Sequence, residues 1–539
     1  MSGDVAWATI PALLRDAAER DPDGEAVVDG DTRLSFGDLA ARAVQAARAF
    51  VAHGVEPGDR VAVWAPNTWE WVVALLGLQS AGAVLVPLNT RYKGTEAGHI
   101  LARSRARLLV TVDGFCANRY VELLREANGG LHRDRPVAGL AELQAAVVLR
   151  DEPPDGTIGW DDFLAAGEAV APAEIDRRVG ALSADDISDL LFTSGTTGAP
   201  KGVVCTHGQT LRAFAAWAEV IGLRATDRYL IVNPFFHAFG YKAGIVASLI
   251  AGATMMPIAA FDEDDVLGLI AAESITMLPG PPTLYQSLLA HPLLDTVDHS
   301  TLRLAVTGAA VIPVHLVEQL RFQLGFETVI TGYGLTEASG IVTMCRHDDD
   351  AETIATTSGR AIPGVEVRTL GEDGAEVAPG QPGEVVVRGY NVMSGYFEDP
   401  AQTAEVIDSD GWLRTGDIGV LDDRGYLAIT DRKKDMFIVG GFNAYPAEIE
   451  QLLLGHPDVA QVAVVGVADE RLGEVGVAFV VPRAGTRPHG TEVIAWARDH
   501  LANFKVPRRV EVVDALPLNT SGKVGKDELR RRAAEGGDA

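Results

Sequence analysis

A chain of 539 residues, 47% of them hydrophobic, is too long for one hydrophobic core and too apolar for a disordered polymer, so at least two folded domains are expected. The 46 basic residues against 74 acidic ones leave a formal charge of -28, which repels nucleic acid and anionic membranes, so any phosphate ligand has to be held by local groups. Three dispersed cysteines, Cys116, Cys205 and Cys345, suggest neither a disulfide framework nor a zinc site and fit a reducing, cytoplasmic setting.

In chain order, Met1 to Glu19 reads as an amphipathic helix rather than a signal peptide, because Asp4, Arg15 and Asp16 surround Ile10, Leu13 and Leu14. A helix is expected over Phe36 to Ala52 and a strand over Arg60 to Trp64. The longest apolar run, Trp71 to Leu88, is interrupted by Gly77, Gln79, Ser80, Gly82 and Pro87, which predicts a buried helix and then a strand instead of a membrane span. Further β-branched runs at Leu108 to Thr111, Leu230 to Val232 and Leu304 to Val306 alternate with helical patterns such as Asp264 to Ala272. That alternation predicts α/β layers with largely parallel sheets. Beyond Gly380 the pattern changes to short antiparallel strands, Gly383 to Arg388 and Tyr426 to Thr430, joined by Asp/Gly turns. The charged run Asp431 to Asp435 marks a boundary, and a small α+β domain follows. Its expected pieces are a helix from Pro446 to Leu454, strands around Gln461 to Val467 and Gly476 to Val481, and a helix from Glu492 to Leu501.

The strongest chemical signal is Leu191 to Gly202, an apolar strand entering the loop Thr193-Ser194-Gly195-Thr196-Thr197-Gly198 and ending at Lys201. Glycines let backbone N–H groups crowd an anion, hydroxyls donate to phosphate oxygens, and lysine adds charge. With Pro200 before Lys201 and Gly202 after it, the loop is not a Walker A sequence, which disfavours P-loop hydrolase chemistry. Downstream, Tyr333 and Gly334 offer a face for an adenine ring, while Thr336 and Glu337 offer a hydroxyl for phosphate and a carboxylate for Mg²⁺. Asp417, in a Thr-Gly-Asp turn, reads either as an Asx-turn residue or as an acceptor for ribose hydroxyls. His237 follows an apolar strand and lies among Phe235, Phe236 and Phe239.

Thr193 to Gly202 resembles the signature loop of the adenylate-forming superfamily of acyl-CoA synthetases, firefly-type luciferases and peptide-synthetase adenylation domains. Similar motifs recur in order at Asn233 to His237, Tyr333 to Glu337, Thr415 to Asp417, Asp431 to Asp435, Gly440 to Asn443 with Tyr445 to Glu448, and Asn519 to Lys523, so the likeness spans nearly the whole chain. It implies an acetyl-CoA synthetase-like fold. A large α/β N-terminal domain, residues 1–432, would have two parallel-type sheets with helices and a small β-barrel-like subdomain. A smaller mobile α+β C-terminal domain, residues 433–539, would turn about a hinge at Lys434. The resemblance implies ATP, Mg²⁺ and coenzyme A as cofactors and Lys523, His237 and Thr336 as catalytic residues. It places the nucleotide on Thr193 to Gly198, Lys201, Gly308, Ala309, Ala310, Tyr333, Gly334, Thr336, Asp417, Arg432 and Lys523. Glu337 and Thr193 would hold the metal, and Gly440, Gly441, Phe442 and Asn443 would line the coenzyme A path.

Peptide-synthetase domains place an aspartate near the His237 motif to hold an α-amine, and here no carboxylate follows in sequence until Asp262, which disfavours an amino-acid substrate. Asn233 to Gly244, Leu278 to Gln286 and Thr343 to Asp350 resemble the actinobacterial branch that activates the bicyclic indanedione propanoate left by steroid degradation. Tyr241 and Lys242 are then expected either to donate to its ring ketones or to face solvent. Medium- or long-chain fatty acids and aryl acids stay open as substrates. A non-catalytic nucleotide-binding homologue and a luciferase-like oxygenase stay open as other classes. No nucleic-acid partner and no stable membrane insertion are expected. The remaining expectations are a homo-oligomer and an acetyltransferase that acts on Lys523 by removing its charge.

Overall fold

The computed structural model describes residues 5–116, 118–133, 135–193, 200–308, 312–432, 435–439, 442–469, 472–501, 503–518 and 524–535, with only the backbone described at 431, 432, 438, 442, 443, 448, 499 and 500. Its centre is an eight-stranded sheet. Arg60–Trp64 lies between Val84–Pro87 and Ala106–Thr111, all parallel, and Ile187–Thr193 joins Val84–Pro87 in the same sense. The direction then reverses, because Lys201–Thr206 returns antiparallel to Ile187–Thr193, and the two-residue strand Gly395–Tyr396 pairs antiparallel with its outer edge. The expected parallel sheet is therefore parallel in its middle and antiparallel at the edge that carries the phosphate loop.

The helix Trp69–Ser80 is buried on nearly all sides, as its almost uniformly apolar sequence requires. The helix Phe36–Ala52 packs against it, with Ser35 and Asp38 forming a capping box at its start. A second layer has Leu304–Gly308 parallel to Thr328–Tyr333, so Thr307 stands opposite Thr331 and Gly308 opposite Gly332. Single bridges through Met277 connect these strands to Arg228–Ile231 and its neighbours. Then comes a four-stranded antiparallel meander, Val365–Leu370, Pro382–Gly389, Leu413–Leu421 and Leu427–Arg432, joined to the second layer by a bridge between Arg360 and Tyr426.

One continuous apolar cluster runs from Ile10 to Leu427, and separate clusters begin at Phe437. The C-terminal part is a five-stranded sheet dominated by the pair Val459–Asp469 and Gly473–Pro482, with helices Pro446–Leu453, Gly490–His500 and Lys526–Glu535. Among the described residues no helix is long and apolar enough to cross a membrane.

Candidate active site

The loop that begins after Thr193 is closed by a β-ladder in which Thr193 and Lys201 stand directly opposite each other. Its two ends are thereby held a strand spacing apart, and the hydroxyl and ammonium groups flank one loop mouth. Gly308 and the Tyr333 turn leave from the same ends of adjacent parallel strands. Ligands of α/β sheets bind outside those carboxyl ends.

Gly334 is required by packing: a Cβ there would sit 2.1 Å from the Gly340 carbonyl oxygen. The chain folds back so tightly that Thr336–Ala338 forms a single 3₁₀ turn, which places Glu337 on the loop. The Tyr333 hydroxyl donates to Asp417 Oδ2 at 2.5 Å, which joins the expected adenine face to the expected ribose acceptor. Asp417 is buried. Its backbone N–H donates to Thr415 Oγ1 at 3.1 Å, and Thr415 in turn donates to the Val385 carbonyl at 2.8 Å. The turn is capped by the Thr415 hydroxyl and not by the Asp417 side chain, whose Oδ2 instead accepts from Tyr333.

His237 is exposed and starts a short helical segment. The Phe239 N–H donates to its Nδ1 at 3.2 Å, which puts the ring proton on Nε2 in the neutral form. Asn67, which sequence reasoning missed, holds this stretch. Its amide donates to the Ile231 and Asn233 carbonyls, and its Oδ1 accepts from Phe235 N–H at 2.7 Å. Gly240 lets the segment turn against the strand end, since a Cβ would meet the Pro234 carbonyl oxygen at 2.1 Å.

Tyr241 and Lys242 do not face solvent, one of the two alternatives the sequence left open. Both side chains are fully buried. They lie in a π-helical turn, Tyr241–Val246, whose wider winding changes which side chains point inward. Lys242 Nζ is 3.1 Å from Asp189 Oδ1, and Gln79 donates to the Tyr241 hydroxyl at 3.2 Å. Asp189 lies on the strand Ile187–Thr193 and is fully buried as well. Burial lowers the Lys242 ammonium, but Asp189 and Cys205 together outweigh it and hold the group above its ordinary value.

Tyr396 was missed as well. Its hydroxyl donates to Glu337 Oε1 at 3.1 Å, and Lys201 Nζ sits 4.9 Å from the centre of its ring. Burial first, and the Glu337 carboxylate second, push its phenol upward, so it stays protonated and a donor. Glu337 and Thr193 supply oxygen donors, the chemistry that Mg²⁺ takes, so these residues fit the implied metal. Ser194, Gly195, Thr196, Thr197, Gly198, Ala309, Ala310, Lys434, Gly440, Gly441 and Lys523 lie outside the described residues, as do the side chains of Arg432, Phe442 and Asn443.

The family model for AMP-binding enzymes matches residues 14–397, and that for the AMP-binding enzyme C-terminal domain matches residues 448–523. The chain belongs to the AMP-binding enzyme family, as an adenylate-forming acyl-CoA synthetase of the acid–thiol ligase class. It is 50% identical over 523 residues to a 7a-methyl-1,5-dioxo-octahydroindenyl-propanoyl:CoA ligase of Rhodococcus jostii, covering 97% of this chain and 98% of that protein. The enzyme of the same name from Mycobacterium tuberculosis is 51% identical over 522 residues, with 97% and 98% covered. Among solved structures, the anthranilate CoA ligase AuaEII in complex with anthranoyl-AMP superposes with a TM-score of 0.86 at 26% identity, covering 99% of both chains.

Proposed function

We propose that the chain activates the bicyclic indanedione propanoate of steroid breakdown, converting it through an acyl-adenylate to its coenzyme A thioester. The observation that carries this is the 50% and 51% identity, over almost the whole of both chains, to two ligases named for that acid. ATP, the acid and coenzyme A are the substrates. The acid needs activation because a carboxylate oxygen is a poor leaving group.

In the first step a carboxylate oxygen attacks the α-phosphorus, the bond to the β-phosphate oxygen breaks, and pyrophosphate departs. Tyr333 and Asp417 hold adenine and ribose, and the Thr193 to Lys201 loop grips the phosphates with its N–H, hydroxyl and ammonium groups. Lys523 stands between the two anions and neutralises developing charge. A magnesium ion held by Glu337 and Thr193 would supply charge compensation on the pyrophosphate side. His237, with Nε2–H outward, guides the acyl carboxylate. In the second step the coenzyme A sulfur attacks the acyl carbon, AMP leaves, and the thiol proton passes to solvent. The domain at 433–539 rotates about Lys434, which withdraws Lys523 and brings Gly440, Gly441, Phe442 and Asn443 along the pantetheine path.

The test is CoA-dependent AMP release with a panel of acids: the indanedione propanoate, medium- and long-chain fatty acids, and aryl acids. The indanedione acid is expected to give the highest kcat/KM. Turnover confined to fatty or aryl acids overturns the substrate, and AMP release without thioester overturns the ligase reading. The same reading carries a cytoplasmic location, a homo-oligomer and inactivation by acetylation of Lys523. Sedimentation and mass spectrometry of protein from cells check the last two.

A further inference from the structure

The segment Met393–Phe397 touches both halves of the nucleotide site. Ser394 N–H donates to the Val204 carbonyl at 3.0 Å and Phe397 N–H to the Gly202 carbonyl at 2.7 Å, which fastens the segment to the strand leaving the phosphate loop. Met393 N–H donates to the Glu337 carbonyl at 2.8 Å, which fastens it to the turn carrying the expected metal carboxylate. Tyr396 N–H donates to Thr403 Oγ1 at 2.9 Å, fixing the residue between these ties. The side chain repeats the backbone's pattern, with its hydroxyl on Glu337 Oε1 and its ring face under Lys201 Nζ.

Two groups of opposite charge, one at the start of a strand and the other in a 3₁₀ turn far away in sequence, thus share one rigid aromatic partner. A ring face attracts the ammonium and a phenolic O–H satisfies one carboxylate oxygen, so a single side chain limits the rotamers of both. Phenylalanine would keep the first contact and lose the second. Leucine would lose both.

We propose that Tyr396 is a positioning residue for the pyrophosphate end of the site, orienting the Glu337 carboxylate toward the magnesium ion through its hydroxyl and aiming Lys201 at the phosphates through its ring. This rests on the reading of Thr193 to Lys201 and Glu337 as the phosphate and metal groups of an ATP site. Partners that orient a metal ligand typically change metal affinity by about 10–100-fold when removed. A cation–π contact at a partly exposed site is worth about two- to fivefold.

The experiment is calorimetric titration of ATP into the full chain and its variants, at a series of Mg²⁺ concentrations and again in EDTA, with steady-state kinetics alongside. Tyr396→Phe is expected to raise the Mg²⁺ concentration for half-maximal ATP binding about tenfold or more. It should leave metal-free ATP affinity and the KM values for acid and coenzyme A unchanged. Tyr396→Leu is expected to show the same Mg²⁺ shift and to lose a further two- to fivefold in EDTA. In a double-mutant cycle, Tyr396→Phe should add nothing to the Mg²⁺ defect of Glu337→Gln if the hydroxyl acts through that carboxylate. Wild-type Mg²⁺ dependence in Tyr396→Phe, or full additivity in the cycle, overturns the proposal and leaves the ATP-site reading standing. Wild-type protein whose ATP binding ignores Mg²⁺ overturns that reading itself. Should Tyr396→Leu not fold, the Phe variant and the cycle still decide.

Discussion

Replacing Lys242 by methionine tests whether its ammonium exists to neutralise Asp189. Both side chains are fully buried with their charged atoms 3.1 Å apart, and Ser188 Oγ donates to the other carboxylate oxygen at 2.6 Å. Methionine keeps most of the volume and removes the charge, which leaves a carboxylate with one hydroxyl donor and no cation. Breaking a buried pair from one side costs about 3–5 kcal/mol. An unfolding entropy of about 2.1 cal/mol/K per residue over a lobe of roughly 430 residues gives about 0.9 kcal/mol/K, so Tm should fall by about 3–6 °C. Asp189→Asn in the same chain keeps an acceptor for Ser188 and removes the stranded charge, so the double variant should recover most of the loss. Differential scanning calorimetry at pH 8 reads all four proteins. The ammonium's folded value lies above its ordinary 10.5, so the pair's contribution is complete below about pH 10.5 and fades as pH rises through the folded value. A Lys242→Met protein as stable as wild type, or losses that simply add in the double variant, would refute the reasoning.

Lys523→Ala should slow acid-dependent exchange of labelled pyrophosphate into ATP by about a hundredfold or more; unchanged exchange with every acid removes it from the first step. Lys434→Pro should leave pyrophosphate release nearly intact and suppress thioester formation, and equal loss of both half-reactions counts against the hinge. Asp417→Ala removes the acceptor for Tyr333 and for the ribose, so ATP affinity by calorimetry should fall about 10–100-fold, while a twofold change would place the ribose elsewhere. Burial, opposed by Asp186, lowers His207 from 6.5 to about 4, and Ile10 N–H donates to its Nδ1 at 3.3 Å. The folded chain resists this proton, so stability is complete above pH 6.5 and should decline by up to about 3 kcal/mol as pH falls toward 4. His207→Gln, which keeps an acceptor and cannot titrate there, should flatten that slope in urea melts across the range.

Contiguous chemistry was the legible part. Thr193 and Lys201 were legible as the two ends of one loop after an apolar strand; that Lys201 begins a returning antiparallel strand was not. Phe36–Ala52 was readable from its period, and Trp69–Ser80 from the long apolar run that starts at Trp71, whose Gly77 to Pro87 interruptions marked a buried helix and then a strand. Residues that act across long sequence separations were not readable. Asn67 holds Phe235, Asp189 meets Lys242, and Tyr396 reaches Glu337, and in each case one partner sits in a stretch without a local signature. The burial of Lys242 was not readable either, because its partner Asp189 lies on a distant strand and nothing local marks the π-helical turn that carries it. The parallel sheet's antiparallel edge escaped notice because Gly395-Tyr396 is too short to read as a strand and pairs with residues far upstream.

That short edge strand also sets an order of events during synthesis. Lys201–Thr206 emerges from the ribosome roughly 190 residues before Gly395–Tyr396, about 10–40 s at usual elongation rates. During that interval the nascent sheet presents a bare row of N–H and C=O groups next to an unfinished phosphate loop, a template for another chain. Docking of these two residues therefore shields the newborn sheet edge from self-association before the rest of the nucleotide site is made, so a truncated product released before residue 395 should be prone to aggregate.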